Sequence, residues 1–296
     1  MIQYLEQYID RISNIERKSR NTIKAYRADV IQFIEYFQKS EKVDLKFEKH
    51  DMLDFLHDLR NQGISHRSIA RKISVLKDFA NFLIDSKIAS EDNLFGLISL
   101  SNPKFDKVLP KIIDFETFCS VIEFIKTDSL FYKKIWQKKR DIALICLLYT
   151  SGMRISEALS IEKKDFLQTT EFIQIKGKGG RYRMSPILDI ANIEIRDYLE
   201  LCPIDRDFLF ISNNGSKYSA RIFQKNLENI RRTLNIGEFL SPHCLRHSCA
   251  TELLKNGGQI RIIQDLLGHA SLKTTQLYTQ VAKNQIFTDY IKIMND

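Results

Sequence analysis

Apolar residues recur at every third and fourth position through the first hundred residues of this chain. That spacing predicts amphipathic helices over residues 1–15, 21–38, 49–61 and 65–86. Val30, Phe33, Ile34 and Phe37 mark one such stripe. No alternation of period two competes with it. Only Gly63 and Gly96 occur before residue 101, and Gly63 falls between two of the predicted helices. Four helices of this kind form a small bundle around their shared apolar faces.

The pattern breaks at residues 99–111, SLSNPKFDKVLPK, which hold two of the chain's five prolines, Pro103 and Pro110, with lysines between them. A proline-marked basic stretch reads as a linker. It divides the chain into a helical domain over 1–100, a linker over 101–111 and a second domain over 112–296. In the second domain Asp114 is placed to cap a helix over 115–126, and 138–149 is a strongly apolar helix. The latter runs into Thr150-Ser151-Gly152-Met153-Arg154-Ile155-Ser156-Glu157. A glycine turn after a buried helix puts Arg154 at the start of the next one, where the helix dipole favours anions. A cation there is suited to sharing an anion, although an ordinary surface arginine fits the same position.

Residues 171–187, EFIQIKGKGGRYRMSPI, read as a hairpin. Apolar residues alternate on both arms, and Gly177-Lys178-Gly179-Gly180 turns them. Glycines around a lysine also resemble a phosphate loop. The G-x4-G-K-[ST] spacing is absent and no helix follows directly, which argues against an ATP site. Helices are predicted again over 190–201 and 221–234, the second basic through Arg221, Lys225, Arg231 and Arg232. The expected fold class is mainly α: an N-terminal helical bundle, then an α-rich domain with one small β-hairpin.

The stretch 241–279 carries the densest candidate chemistry. Ser241-Pro242 is a helix start, a serine N-cap followed by proline at the first helical position. That helix is expected to stop at Gly257-Gly258. A second runs over 260–267 to Gly268, and Ser271 caps a third that carries Thr274, Thr275 and Tyr278. His243 and Arg246 are three apart and share a face. His269 stands beside a glycine at a helix end, and Tyr278 follows. Two histidines, an arginine and a tyrosine among apolar neighbours suit a buried anion and a nucleophile. Taken singly, each has a plainer reading: a histidine at a helix terminus is usually a cap, and a tyrosine in an apolar helix is usually core. His243, Cys244, His247 and Cys249 also raise a zinc site. However, Cys249 points off the face that Cys244 and His247 share, and no CxxC elsewhere completes the set. A metal is therefore not expected.

Composition narrows the classes further. A hydrophobic fraction of 44% in 296 residues is enough for real cores. Lysine and arginine exceed aspartate and glutamate by 45 − 37 = 8, which favours a polyanionic partner. A face carrying Lys18, Arg20, Lys24, Arg27, His66, Arg67, Arg71 and Lys72 is suited to phosphates, although a solvated basic face fits it as well. Five cysteines without a pattern suit a reducing cytoplasm rather than a disulfide framework. The first residues have no apolar signal core, and the longest apolar run, 142–149, is far too short to span a bilayer, so no membrane partner is expected.

His243-x-x-Arg246, Gly268-His269 and Tyr278, in that order, resemble the C-terminal signature of the tyrosine recombinases, the phage integrase family. SPHCLRHSCATELL and LLGHASLKTTQLYT look most like its Xer branch (XerC/XerD type). Residues 150–157 resemble the family's T-G-x-R-x-S-E box, with Ser151 inserted before the glycine. Ser19-x-x-Thr22-x-x-x-Tyr26 resembles the second helix of the Xer core-binding domain, a SAM-like bundle. DFLFI at 207–211 is similar to the family's short extended run before the last helices.

The resemblance implies a catalytic set of Arg154, Lys178, His243, Arg246, His269 and Tyr278, with Glu157 orienting Arg154. Lys178 is matched through the IxGKGxKxR pattern, with Lys176 and Arg181 as neighbouring candidates. It implies a linker that crosses the duplex, and an apolar tail (Ile286, Phe287, Tyr290, Ile291, Met294) that docks in trans. It implies no cofactor. The partners implied are a double-stranded DNA site, a second Xer-type recombinase or further copies in a cyclic tetramer, and a DNA translocase of the division septum. The function implied is cutting and rejoining DNA through a 3′-phosphotyrosine to resolve chromosome dimers. A mobile-element integrase, a type IB topoisomerase and an inactive DNA-binding module remain open alternatives.

Overall fold

The computed structural model describes residues 1–39, 45–101, 112–128, 131–168, 171–177, 182–237 and 240–255. Its chain forms two compact units, Met1–Val108 and Leu109–Asp296. Residues 102–111 of the linker predicted over 101–111, the helices expected beyond 255 and the apolar tail lie outside the described residues.

The first unit is the expected bundle. Its helices are α1 (Ile2–Asp10), continued by a π-helical turn over Arg11–Ile15, α2 (Arg20–Lys39), α3 (Lys49–Asn61) and α4 (His66–Asp85). Ser65 caps α4 by accepting the Ser68 N–H at 3.3 Å, and Ser19 accepts the Thr22 N–H at 3.2 Å in front of α2. The stripe read from the sequence is buried. Phe33 packs against Phe37, Phe47 and Phe55 with ring centroids 5.0, 5.1 and 5.6 Å apart. Each such ring contributes about 1.5–3 kcal/mol by leaving water.

A short helix that the periodicity does not show, α5 (Phe95–Ile98), closes the bundle. It depends on Gly96, whose N–H donates to the Phe47 carbonyl at 2.8 Å. A Cβ there would stand 2.4 Å from the carbonyl oxygens of Phe47 and Glu48. Four residues are too few to display a helical period.

The basic face expected on this unit is half neutralised from within. Lys72 is buried and donates to Asp29 at 2.8 Å, and Arg71 pairs with the same carboxylate. Lys18 pairs with Glu16 and Asp78 at 2.6 and 3.1 Å, and Arg27 with Glu6. Arg20, Lys24, His66 and Arg67 are exposed.

The second unit is built on α7 (Ile135–Ser151), in which every residue from Arg140 to Ser151 is buried. It packs against α6 (Phe115–Thr127), α10 (Asp189–Leu201) and α12 (Pro242–Lys255). Asp114 caps α6 as expected, accepting the Thr117 N–H at 2.8 Å. Between α7 and α10 come the short helices α8 (Ile155–Ala158) and α9 (Lys163–Leu167), then the antiparallel strands β1 (Phe172–Lys176) and β2 (Tyr182–Pro186). The run at 207–211 forms isolated bridges, Glu162 with Phe208 and Ile211 with Lys217, rather than a strand. Helix α11 (Ala220–Thr233) buries Phe223, Leu227 and Ile230 and leaves Arg221, Lys225 and Arg232 exposed.

The expected alternation holds on β1, where Ile173 and Ile175 are buried. It fails on β2. The residues opposite them are Ser185 and Arg183, so the inward face of the second arm is polar. Among the described residues no helix is long and apolar enough to cross a membrane.

Candidate active site

Helix α7 ends at Gly152, whose φ of 61° is the left-handed conformation that a glycine adopts at least cost. Its N–H closes on the Leu148 carbonyl at 3.1 Å, and the inserted Ser151 turns its hydroxyl back onto Leu147 at 2.5 Å. The chain then leaves the core extended, and Arg154 becomes the N-cap residue of α8. Glu157, one turn on, accepts the Arg154 N–H at 2.8 Å and Arg154 Nη1 at 2.9 Å. Arg154 and Glu157 are therefore in direct contact.

Arg246 reaches the same place from α12. That helix buries Cys244, Leu245, Arg246, Ser248 and Cys249 against the core. Ser248 fixes it by accepting the Ile113 N–H at 2.9 Å. The Arg246 side chain is only 10% exposed, and its Nη1 stands 4.0 Å from Glu157 Oε2 while donating to the Gly152 carbonyl. Two arginines far apart in sequence are thus brought to one buried carboxylate.

A third arginine completes the cluster. Arg183 on β2, 9% exposed at its side chain, donates to Glu157 through Nη1 at 2.9 Å and Nη2 at 2.8 Å. Three guanidiniums against one carboxylate leave two positive charges in excess, suited to a phosphate. Burial by itself would raise the Glu157 carboxyl. The hydrogen bond from Arg183 and then those from Arg154 outweigh it and bring the group down to about 2. Burial, and after it the charge of Arg154, lowers Arg246 to about 10, which leaves it protonated at neutral pH. Arg183 is the last position of the IxGKGxKxR pattern, but nothing along the chain names its partner. The signal for it was a charged residue on the inward side of a strand, which requires a buried partner.

His243 lies one turn before Arg246 on α12 and is exposed. His247, also exposed, has its imidazole pKa lowered by partial burial and then by His243 and Arg246. With both cysteines buried and both histidines exposed, the four zinc candidates do not converge. Among the described residues no group of three or more His, Cys, Asp or Glu side chains is placed to hold a metal. Lys176 lies on the exposed face of the hairpin beside Tyr182, the face opposite Arg183. Lys178, Arg181, His269 and Tyr278 lie outside the described residues.

The chain matches the phage integrase family over residues 120–285 and the phage integrase N-terminal SAM-like domain over residues 5–87. It is 32% identical over 296 residues to tyrosine recombinase XerD of Oceanobacillus iheyensis, covering 97% of this chain and 96% of that protein. It is 33% identical over 297 residues to tyrosine recombinase XerC of Mesorhizobium japonicum, covering 96% and 93%. A solved structure of the XerH site-specific recombinase bound to palindromic difH substrate, a post-cleavage complex, is similar with a TM-score of 0.71 and 26% identity. That likeness covers 99% of this chain and 84% of the other.

Proposed function

The chain belongs to the phage integrase family as a site-specific tyrosine recombinase of Xer type, a DNA strand-exchange enzyme, and on that premise we propose that Arg154, Lys178, His243, Arg246, His269 and Tyr278 are its catalytic residues. The observation that carries this reading is the meeting of Arg154 and Arg246 at Glu157.

A strand exchanged without loss must be cut without water, because hydrolysed ends need external energy to rejoin. The Tyr278 hydroxyl attacks the scissile phosphorus. A Tyr278 oxygen–phosphorus bond forms, the bond to the 5′-oxygen breaks, and the phosphodiester energy is kept in a 3′-phosphotyrosine. His243 takes the tyrosine proton and Lys178 gives one to the leaving 5′-oxygen. Arg154 and Arg246 hold the non-bridging oxygens with always-charged bidentate forks. Removal of one such donor typically costs about 10²–10³ in rate. His269 adds a further hydrogen bond to a phosphate oxygen.

The substrate is a double-stranded recombination site, and the biological task is resolution of chromosome dimers at cell division, in the cytoplasm. Curated relatives named XerD and XerC, and a similar recombinase captured on its DNA substrate, support this. The working assembly is a cyclic tetramer on two duplexes, formed with further copies or with a second Xer-type recombinase and activated by a septal DNA translocase. Exposed Arg20, Lys24, His66 and Arg67 are suited to backbone phosphates on the first unit, and Arg221 and Lys225 on the second. The test is a covalent-adduct assay on nicked duplex DNA carrying the site that this protein selects from a random pool. Wild type should form an adduct that survives denaturant, and Tyr278→Phe should bind equally and form none. An adduct from the phenylalanine variant removes the assignment.

A further inference from the structure

Glu157 is saturated. Its two oxygens accept four hydrogen bonds, two from Arg183 (2.9 and 2.8 Å) and two from Arg154 (2.8 and 2.9 Å). A carboxylate offers about four acceptor positions. Arg246, at 4.0 Å, is the next nearest guanidinium and lies beyond hydrogen-bond range. Remove Arg183 and two of those positions open in a site where Glu157 is 4% exposed. A buried carboxylate left short of donors takes the nearest cation. Here that is Arg246, or more of the Arg154 fork, and either capture draws a donor away from the phosphate.

We propose that Arg183 is a positioning residue for strand cleavage: by filling Glu157 it keeps Arg246 and the remaining donors of Arg154 directed at the scissile phosphate. It also ties β2 to the arginine pair. This inference rests on the reading of Arg154 and Arg246 as the phosphate-binding pair. Among the hydrogen bonds and charges that hold Glu157 ionised against burial, that of Arg183 is the largest, in accord with its place on both oxygens.

The test is a double-variant cycle read as single-turnover adduct formation on the selected nicked duplex, with DNA affinity and melting temperature measured in parallel. Arg183→Met should slow cleavage by about 10²-fold, the scale of losing one aimed donor. Glu157→Gln should slow it by about tenfold, because a neutral amide holds Arg154 less firmly but captures nothing. The combined variant should be faster than Arg183→Met alone, a rescue that a purely structural role for Arg183 does not give. Wild-type cleavage in Arg183→Met, or a combined variant equal to or slower than it, overturns the inference. If Arg183→Met does not fold, the same cycle is read with Arg183→Lys, which keeps the charge and loses the fork. Arg154→Ala and Tyr278→Phe are run alongside. Adduct formation at the wild-type rate in either one sinks the active-site reading itself. Loss in both with no effect at Arg183 sinks the positioning role alone.

Discussion

Arg246 donates to the backbone carbonyl of Gly152, so the end of the most buried helix of the second unit and the arginine of α12 fix one another. The relationship gives Gly152 two duties. It ends α7 in a left-handed conformation, and it presents the carbonyl that holds Arg246 beside Glu157. Gly152→Ala should therefore lower stability by about 1–2 kcal/mol, the cost of a Cβ at positive φ. Cleavage by the folded fraction should also fall by about tenfold or more, as expected of a misplaced donor. Denaturant unfolding and adduct formation, measured together, check both. Full activity at reduced stability would show that the carbonyl does not position Arg246.

The pH dependence of stability follows from Glu157. Its carboxyl lies at about 2 against an ordinary 4.5, so ionised Glu157 stabilises the folded state. The contribution, on the order of 3 kcal/mol, is complete above about pH 4.5 and is lost as pH falls toward 2. The stability gap between wild type and Glu157→Gln should narrow between pH 5 and about pH 3. A gap that is constant over that range contradicts the assignment.

Asp29 makes a separate prediction in the first unit. It is 2% exposed and holds Lys72, which is 8% exposed, at 2.8 Å. Asp29→Ala leaves that ammonium buried without its carboxylate and should cost about 3–5 kcal/mol in unfolding free energy. A loss below about 1 kcal/mol, the size of an exposed pair, would show that the bridge behaves as a surface contact.

Lys178→Ala should block cleavage of an ordinary phosphodiester. A substrate with a 5′-bridging phosphorothiolate should restore it, because a thiolate leaves without a proton. Equal defects on both substrates would take the role of acid away from Lys178 and point to Arg181, or to Lys176 if the hairpin turns its exposed face when DNA binds.

Much of this protein was decided locally and could be read locally. The period of residues 49–61 alone predicts a helix, and α3 spans the same residues. Asp114 placed a helix start to within a residue, because capping is an interaction between a side chain and a backbone N–H only three positions away. Gly152 and Arg154 were recognisable for the same reason: a left-handed stop and an N-cap are properties of a few adjacent residues.

What the sequence could not contain was the identity of whatever lies opposite. Strand periodicity showed which side of the hairpin faces inward on β1, but not that Arg183 and Ser185 fill the matching side of β2, or that Glu157 waits there. Charge counting showed a basic face on the first unit, but not that Asp29, Asp78 and Glu6 draw Arg71, Lys72, Lys18 and Arg27 into pairs. The need for glycine at 96 comes from the carbonyls of residues 47 and 48, nearly fifty positions away in the chain. Period, caps and turns are set by neighbours along the chain. Partners of buried charges and close backbone approaches are set by segments that meet only when the core forms, and the tertiary structure alone decides them.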